Sequence, residues 1–287
     1  MEYTSPHELE SWLEKLQLLE TTSHCTGPKF IKPFHLGTLT HKLRLHKIAQ
    51  LNVPEKMSSY ANTMKLWDAL NVSPPPPVKN RWPSGRYHPI ELLKNSDTVD
   101  NLADKLTILF STVCSDPKTL DGVNTMLREL VGNCYAHSDV KDGIFGVVCA
   151  QVWPKGKKAQ IVIADTGIGI RASLRQNAQL LHQIKHQNCC ELSTEYGITS
   201  KPGKGHSGYG LTVARKLIEQ NNGNLIVRSG TEMFCYQEGN IIRDSFKRSW
   251  EGTLLIIEWD INVPMNIGKV YESFPLPEGM TDDDFDF

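Results

Sequence analysis

The stretch SGYGLTVARKLIEQNNGNLIVRSG, residues 207–230, constrains the fold more than any other part of the chain. Gly208 and Gly210 stand directly before a run in which Leu211, Ala214, Leu217 and Ile218 recur at helical spacing. NLIVRS then follows with the character of a strand. Glycine is unfavourable inside a helix but useful where backbone must come very close to something. The unpaired N–H groups of a helix start attract anions, phosphate above all. Close packing of a helix entrance also calls for glycine, so other segments must decide between the two readings.

Upstream, SPHELESWLEKLQLLE opens with Ser5, Pro6 and Glu8, a capping-box pattern with proline at the first helical position. It predicts a helix to about Glu20. Residues 34–51 read as a second helix and MSSYANTMKLWDAL as a third. PPPP at 74–77 breaks regular structure and reads as an extended connector, and ELLKN at 91–95 closes this section. Ser96 is placed to cap the helix DTVDNLADKLTILFSTV. In DGVNTMLRELVGNCYAHS, the residues Val123, Met126, Leu127, Leu130, Val131, Cys134 and Tyr135 form an apolar stripe. IFGVVCAQVW and AQIVIAD read as strands joined by a turn at PKGK. NLIVRS, MFCYQ, NIIRD and GTLLIIEWDI are strand-like as well. No internal repeat is visible. This order of elements predicts an α+β sandwich, an antiparallel or mixed sheet with helices on one face.

Composition bounds the function. The 287 residues suffice for two ordinary domains or one large one. With 39% hydrophobic and 22% charged residues and a net charge of −1, the chain gives no reason to expect nucleic-acid or membrane binding. No apolar run approaches a membrane span, and MEYTSPHELESW is not a signal peptide. The seven cysteines include no CxxC pair, which points away from a zinc ribbon and towards a reducing, cytoplasmic location. The ending TDDDFDF is acidic and is expected to be loose.

Glu129, Asn133 and His137 recur at four-residue spacing and so lie along one side of their helix, at the margin of the apolar stripe. Any one of them alone fits a solvated polar edge. As a set they offer more: an Asn oxygen for Mg²⁺, which keeps several waters and bridges nucleotide phosphates, and a carboxylate that can deprotonate a water or hydroxyl. Asp165 follows the apolar run QIVIA and precedes TGIGI. It fits a simple turn former. It also fits an acceptor for an exocyclic amine, with Gly167 and Gly169 letting a flat ligand approach. His182, His186, Cys189 and Cys190 have residue types that bind zinc, but in a polar, glycine-containing stretch they read as solvated side chains.

RELVGNCYAH, ADTGIGI, GHSGYGLTVARKLIEQNNGNLIVRS and GTLLIIEWDINVP resemble, in order, the four motifs of the GHKL ATPase superfamily. That group includes gyrase, heat-shock chaperones, mismatch-repair proteins, sensor histidine kinases and the anti-sigma-factor serine kinases. The resemblance covers roughly residues 97–265. It implies a Bergerat α/β sandwich with ATP between helices and sheet, under a mobile lid at residues 171–207. On that resemblance Asn133 holds Mg²⁺, Glu129 is the base and Asp165 binds the adenine amine. Gly167 and Gly169 shape the base pocket, and Thr253 supports Asp165 through water. Gly208, Gly210 and Leu211 meet the phosphates. Cys134 stands where alanine is usual, and NNGN replaces the usual double glycine. His137 matches a histidine of the anti-sigma kinases rather than a sensor-kinase phosphoacceptor. FIKPFHLGTLTHKLRL, SSYANTMKLWDALNV and GRYHPIELL resemble a degenerate STAS-type module whose phosphoacceptor is missing at KPFH. The expected organisation is a smaller α/β STAS-like interaction domain over 1–95, an ATP-binding domain over 96–270 and a flexible tail over 271–287. The expected partners are ATP and another protein, with a homodimer as one possible assembly. The expected activity is slow ATP hydrolysis or protein-serine phosphorylation; a nucleotide-gated interaction module is the alternative.

Overall fold

The computed structural model describes residues 1–19, 27–28, 30–46, 53–74, 85–136, 143–202 and 208–275. Four helices come first: α1 (Pro6–Leu18), α2 (Pro33–His46), α3 (Glu55–Thr63) and α4 (Leu66–Leu70). Ser5 caps α1 as expected, its hydroxyl accepting the Glu8 N–H at 3.0 Å. The run expected as a single third helix is two, because Lys65 takes a left-handed conformation with φ of +56° between them. Strand β1 (Tyr87–Leu93) follows, then α5 (Val99–Ser111) and α6 (Pro117–Ala136). The cap ahead of α5 is Asn95, not Ser96: its side chain accepts from the Asp97 N–H and begins a short 3-10 turn.

Strands β2 (Gly146–Trp153) and β3 (Lys158–Asp165) form the expected hairpin. Three short helices come next, α7 (Ile170–Leu174), α8 (Leu181–His186) and α9 (Cys189–Leu192). Helix α10 (Gly210–Asn221) ends at Asn222 in the left-handed conformation. The four strand-like runs after it are two long strands, β4 (Asn224–Gln237) and β5 (Asn240–Asp260), and α11 (Ile267–Glu272) follows. Register shifts around Gly230 join the runs. Leu225 and Val227 face the same core as Phe234 and Tyr236, so the alternation changes phase across the bulge.

The five strands form one sheet in the order β1-β2-β3-β5-β4, every pairing antiparallel. Its strands are apolar on both faces. In β3, Ile161 and Ile163 join one core while Val162 and Ala164 join the other. A sheet of this kind must be covered twice. Helices α5, α6 and α10 cover one face, through Leu106, Phe110, Met126, Leu130 and Leu217. Helices α1–α4 cover the other, through Trp12, Leu16, Phe34, Leu39 and Trp67. Within residues 96–270 the long helices α5, α6 and α10 thus lie on one face of the sheet, as expected, and the second cover comes from the helices that precede them. The described residues of 1–95 are four helices and the edge strand β1, which pairs along β2, and this layout lends the STAS-like reading no support. Residues 75–77 of the PPPP run and 276–287 of the tail lie outside the described residues.

Candidate functional site

A cleft with about 1040 Å³ of empty space, counted out to its open mouth, lies between α6, the start of α10 and the adjoining face of the sheet. Two groups of residues line it. The first is built where α10 begins against α6. The amphipathic pattern of α6 buries Leu130 and Cys134 and leaves Glu129 and Asn133 at the margin, facing the cleft. Gly210 packs directly on them. A Cβ there would sit 3.1 Å from the Glu129 carboxylate and 3.1 Å from Asn133 Nδ2. Gly208 has φ of +73°, and a Cβ would meet the Ile198 carbonyl at 2.8 Å. Leu211 lines the same wall. Among the described residues no side chain caps the first turn of α10, whose first residues, Gly210 and Leu211, line the cleft.

The second group forms where β3 ends. Asp165 Oδ1 accepts from the backbone N–H of Gly167 at 2.8 Å and of Thr253 at 3.1 Å. Burial pushes the carboxyl up to about 6, and the hydrogen bonds from Gly167 and Thr253 hold it below where burial alone would put it. Gly169, with φ of +79°, and Thr253 line the cleft beside it. Gly167 does not line the cleft; its part is the N–H given to Asp165. Thr253 touches Asp165 directly through its own amide.

Several residues of the site escaped sequence reasoning. Gly252 has φ of +74°, and a Cβ would fall 2.0 Å from the Asp165 carbonyl oxygen, so no other residue fits without moving the backbone. Its signal was the glycine heading GTLLIIEWD. Ser173, Thr199 and Ser200 line the cleft with Tyr209, and nothing in their local pattern marks them.

Residues 171–202 hold short helical pieces packed against the core. Leu174, Ile184, Cys190 and Leu192 join the core. Arg171 pairs with Glu232 at 2.7 Å, and Asn177 donates to the Thr199 carbonyl at 2.9 Å. Cys189 and Cys190 are buried, not solvated, with thiols pushed up by burial to about 11 for Cys189 and higher still for Cys190. They do not converge with His182 and His186: among the described residues, no group of three or more His, Cys, Asp or Glu is placed to hold a metal ion. Gly203, Gly205 and His137 lie outside the described residues. No helix among the described residues is long and apolar enough to cross a membrane.

The fold is an α/β sandwich with a cleft between sheet and helices, the half-buried Asp165 carboxylate in one group of its lining and a glycine-opened helix start in the other. Residues 119–247 match the family of histidine kinase-, DNA gyrase B- and HSP90-like ATPases. This part of the chain is a domain of that family, an ATP-binding, ATPase- or kinase-like domain of the GHKL type. No curated protein matches the chain.

Proposed function

We propose that the cleft binds Mg-ATP and that the protein is a regulatory switch that hydrolyses ATP slowly or passes its terminal phosphoryl group to a protein partner. The observation that carries the reading is the convergence of Glu129 and Asn133 on the backbone of Gly210 at the start of α10. That corner supplies a carboxylate, an amide oxygen and backbone N–H groups, which suits phosphates and one magnesium ion shared with them. The donor set fits this ion better than a closed metal site, because magnesium needs one or two protein oxygens when phosphates supply the rest. Bound Mg-ATP supplies a transferable phosphoryl group with its charge partly neutralised. Asn133 would hold the ion, and Glu129 would take the proton of a water or of a partner's hydroxyl. Asp165 accepts from the adenine amine, with Gly169 against the base and Gly208, Gly210 and Leu211 along the phosphates.

Incubation of the purified chain and its genomic-neighbour proteins with terminally labelled ATP and magnesium separates the outcomes. Free phosphate identifies a hydrolase and labelled partner a kinase. Either product should fall by at least about 100-fold in Glu129→Gln, while ATP binding is retained. Tight ATP binding with neither product, in wild type as in the variant, identifies a nucleotide-gated interaction module and removes Glu129 as a base.

A further inference from the structure

Ser229, on β4, is buried behind the cleft and contributes nothing to its lining. Its hydroxyl donates to the Gly252 carbonyl at 2.7 Å and accepts the Ile170 N–H at 2.9 Å. One hydroxyl hydrogen and one lone pair serve two different segments. Each contact belongs to a peptide unit beside Asp165 or the cleft. The Gly252 carbonyl shares a planar trans peptide with the Thr253 N–H, and the two groups point in opposite directions. Holding the carbonyl therefore sets the direction of the N–H, which donates to Asp165 Oδ1 at 3.1 Å. The Ile170 N–H ends the Gly169–Ile170 peptide, and both of those residues line the cleft.

The packing leaves these peptides little freedom. A Cβ on Gly169 would lie 2.9 Å from Ser229 Oγ, and one on Gly252 would lie 2.7 Å from Asp165 Oδ1. Three segments, β4 beside its bulge, β5 at Gly252 and the start of α7, meet at one hydroxyl.

We propose that Ser229 is a positioning residue for adenine recognition: by tying the Gly252–Thr253 and Gly169–Ile170 peptides together it aims Asp165 at the exocyclic amine. The inference rests on the reading of Asp165 given above. A serine that merely satisfies two buried peptide groups at a strand bulge makes a different prediction. Its loss would weaken every nucleotide equally.

Calorimetry of the full chain with ATP and with purine riboside triphosphate, which lacks only the 6-amino group, tests this. The wild type should prefer ATP by at least about tenfold. Ser229→Ala should lose about five- to tenfold of that preference, with affinity for the deaminated analogue changed by less than about twofold. Equal losses for both nucleotides, or an unchanged preference, overturn the proposal. No preference in the wild type removes the reading of Asp165, and Ser229 with it. A preference present in the wild type and intact in the variant removes Ser229 alone. Ser229→Cys keeps the shape with a weaker donor and should fall between the two; it carries the test where alanine does not fold. Failure of both variants to fold overturns the proposal too, since Ser229 would then be a folding determinant.

Discussion

Burial holds the Asp165 carboxyl at about 6 rather than 3.8, so the folded protein keeps this proton more tightly than the unfolded chain does. The sign follows. The charged carboxylate destabilises the nucleotide-free fold at every pH above 6, and the penalty fades as pH falls towards 3.8, where both states are protonated. Asp165→Asn keeps an acceptor for Gly167 and Thr253 and removes the charge. It should raise the stability of the nucleotide-free protein at pH 8 by about 1–3 kcal/mol, and the gain should vanish below about pH 4. Urea unfolding across that range checks it. On the role proposed for Asp165 the same titration would govern recognition, because only the carboxylate accepts from the amine without a competing proton. The preference for ATP over purine riboside triphosphate should decline as pH falls through about 6; comparing the two nucleotides cancels the titration of their phosphates. A preference flat from pH 5 to 8 would contradict the assignment. Cys134 sits close enough for the Asp165 charge to raise its thiol further, beyond the effect of its own burial.

Helix α10 shows how one element turns packing into a site. Its buried side, Val213, Ala214, Leu217 and Ile218, seats it against the sheet. Its glycine entrance then meets α6 backbone-close. Gly210 itself has no left-handed conformation to satisfy, so the reason for glycine there is space alone. Gly210→Ala should leave stability within about 1 kcal/mol of wild type, since alanine favours the helix while its methyl crowds Glu129 and Asn133. Affinity for Mg-ATP should nevertheless fall by about tenfold or more, because both side chains must move aside. Thermal unfolding and calorimetry on the same preparation check the two halves. Aromatic contacts join Tyr196 to the residue that precedes α10 and to the segment after α11. Tyr196 stacks on Tyr209 with ring centroids 4.7 Å apart, and Phe274 packs on Tyr196 at 4.7 Å. Three separate segments thus meet at the lip of the cleft.

At the scale of the molecule, the sheet is shared between two helical layers, and a buried carboxylate fastens the N-terminal layer to it. Glu258 on β5 accepts from the Thr4 amide, Gln160 Nε2 and Asn224 Nδ2, each at 2.7 Å. Gln160 in turn accepts the Phe34 N–H at the start of α2 at 3.0 Å. Every donor in this set is buried, so removing the carboxylate takes the acceptor from the Thr4 amide and leaves Gln160 and Asn224 with one hydrogen bond fewer each. Glu258→Ala should cost roughly 3 kcal/mol or more in urea unfolding. The two layers should also unfold together. Trp12 and Trp67 report on the N-terminal helices and Trp259 on the opposite core. Fluorescence of single-tryptophan variants should give coincident transitions, and separate midpoints would show that the layers are independent units.

The sequence by itself determined the elements whose signal is local. Ser5 and Pro6 started α1, the stripe from Val123 to Cys134 set the buried side of α6, and the apolar run before Asp165 ended a strand at a turn. Glu129, Asn133, Asp165 and the glycines around α10 were legible for the same reason: each stands at a fixed offset within one helix or turn. Tertiary structure decided everything that depends on what comes to lie opposite. The unbroken apolar runs of β2 and β3 carried the information that both faces are buried, but only packing showed that α1–α4 supply the second cover. NLIVRS and MFCYQ read as separate strands because the bulge at Gly230 shifts the alternation that a period-two pattern relies on. Gly252 and Ser229 left almost no trace, because their roles are set by contacts with Asp165 and Ile170, 87 and 59 positions away in a chain of 287 residues. No local pattern encodes such a distance; the pairing of β5 with both β3 and β4 does.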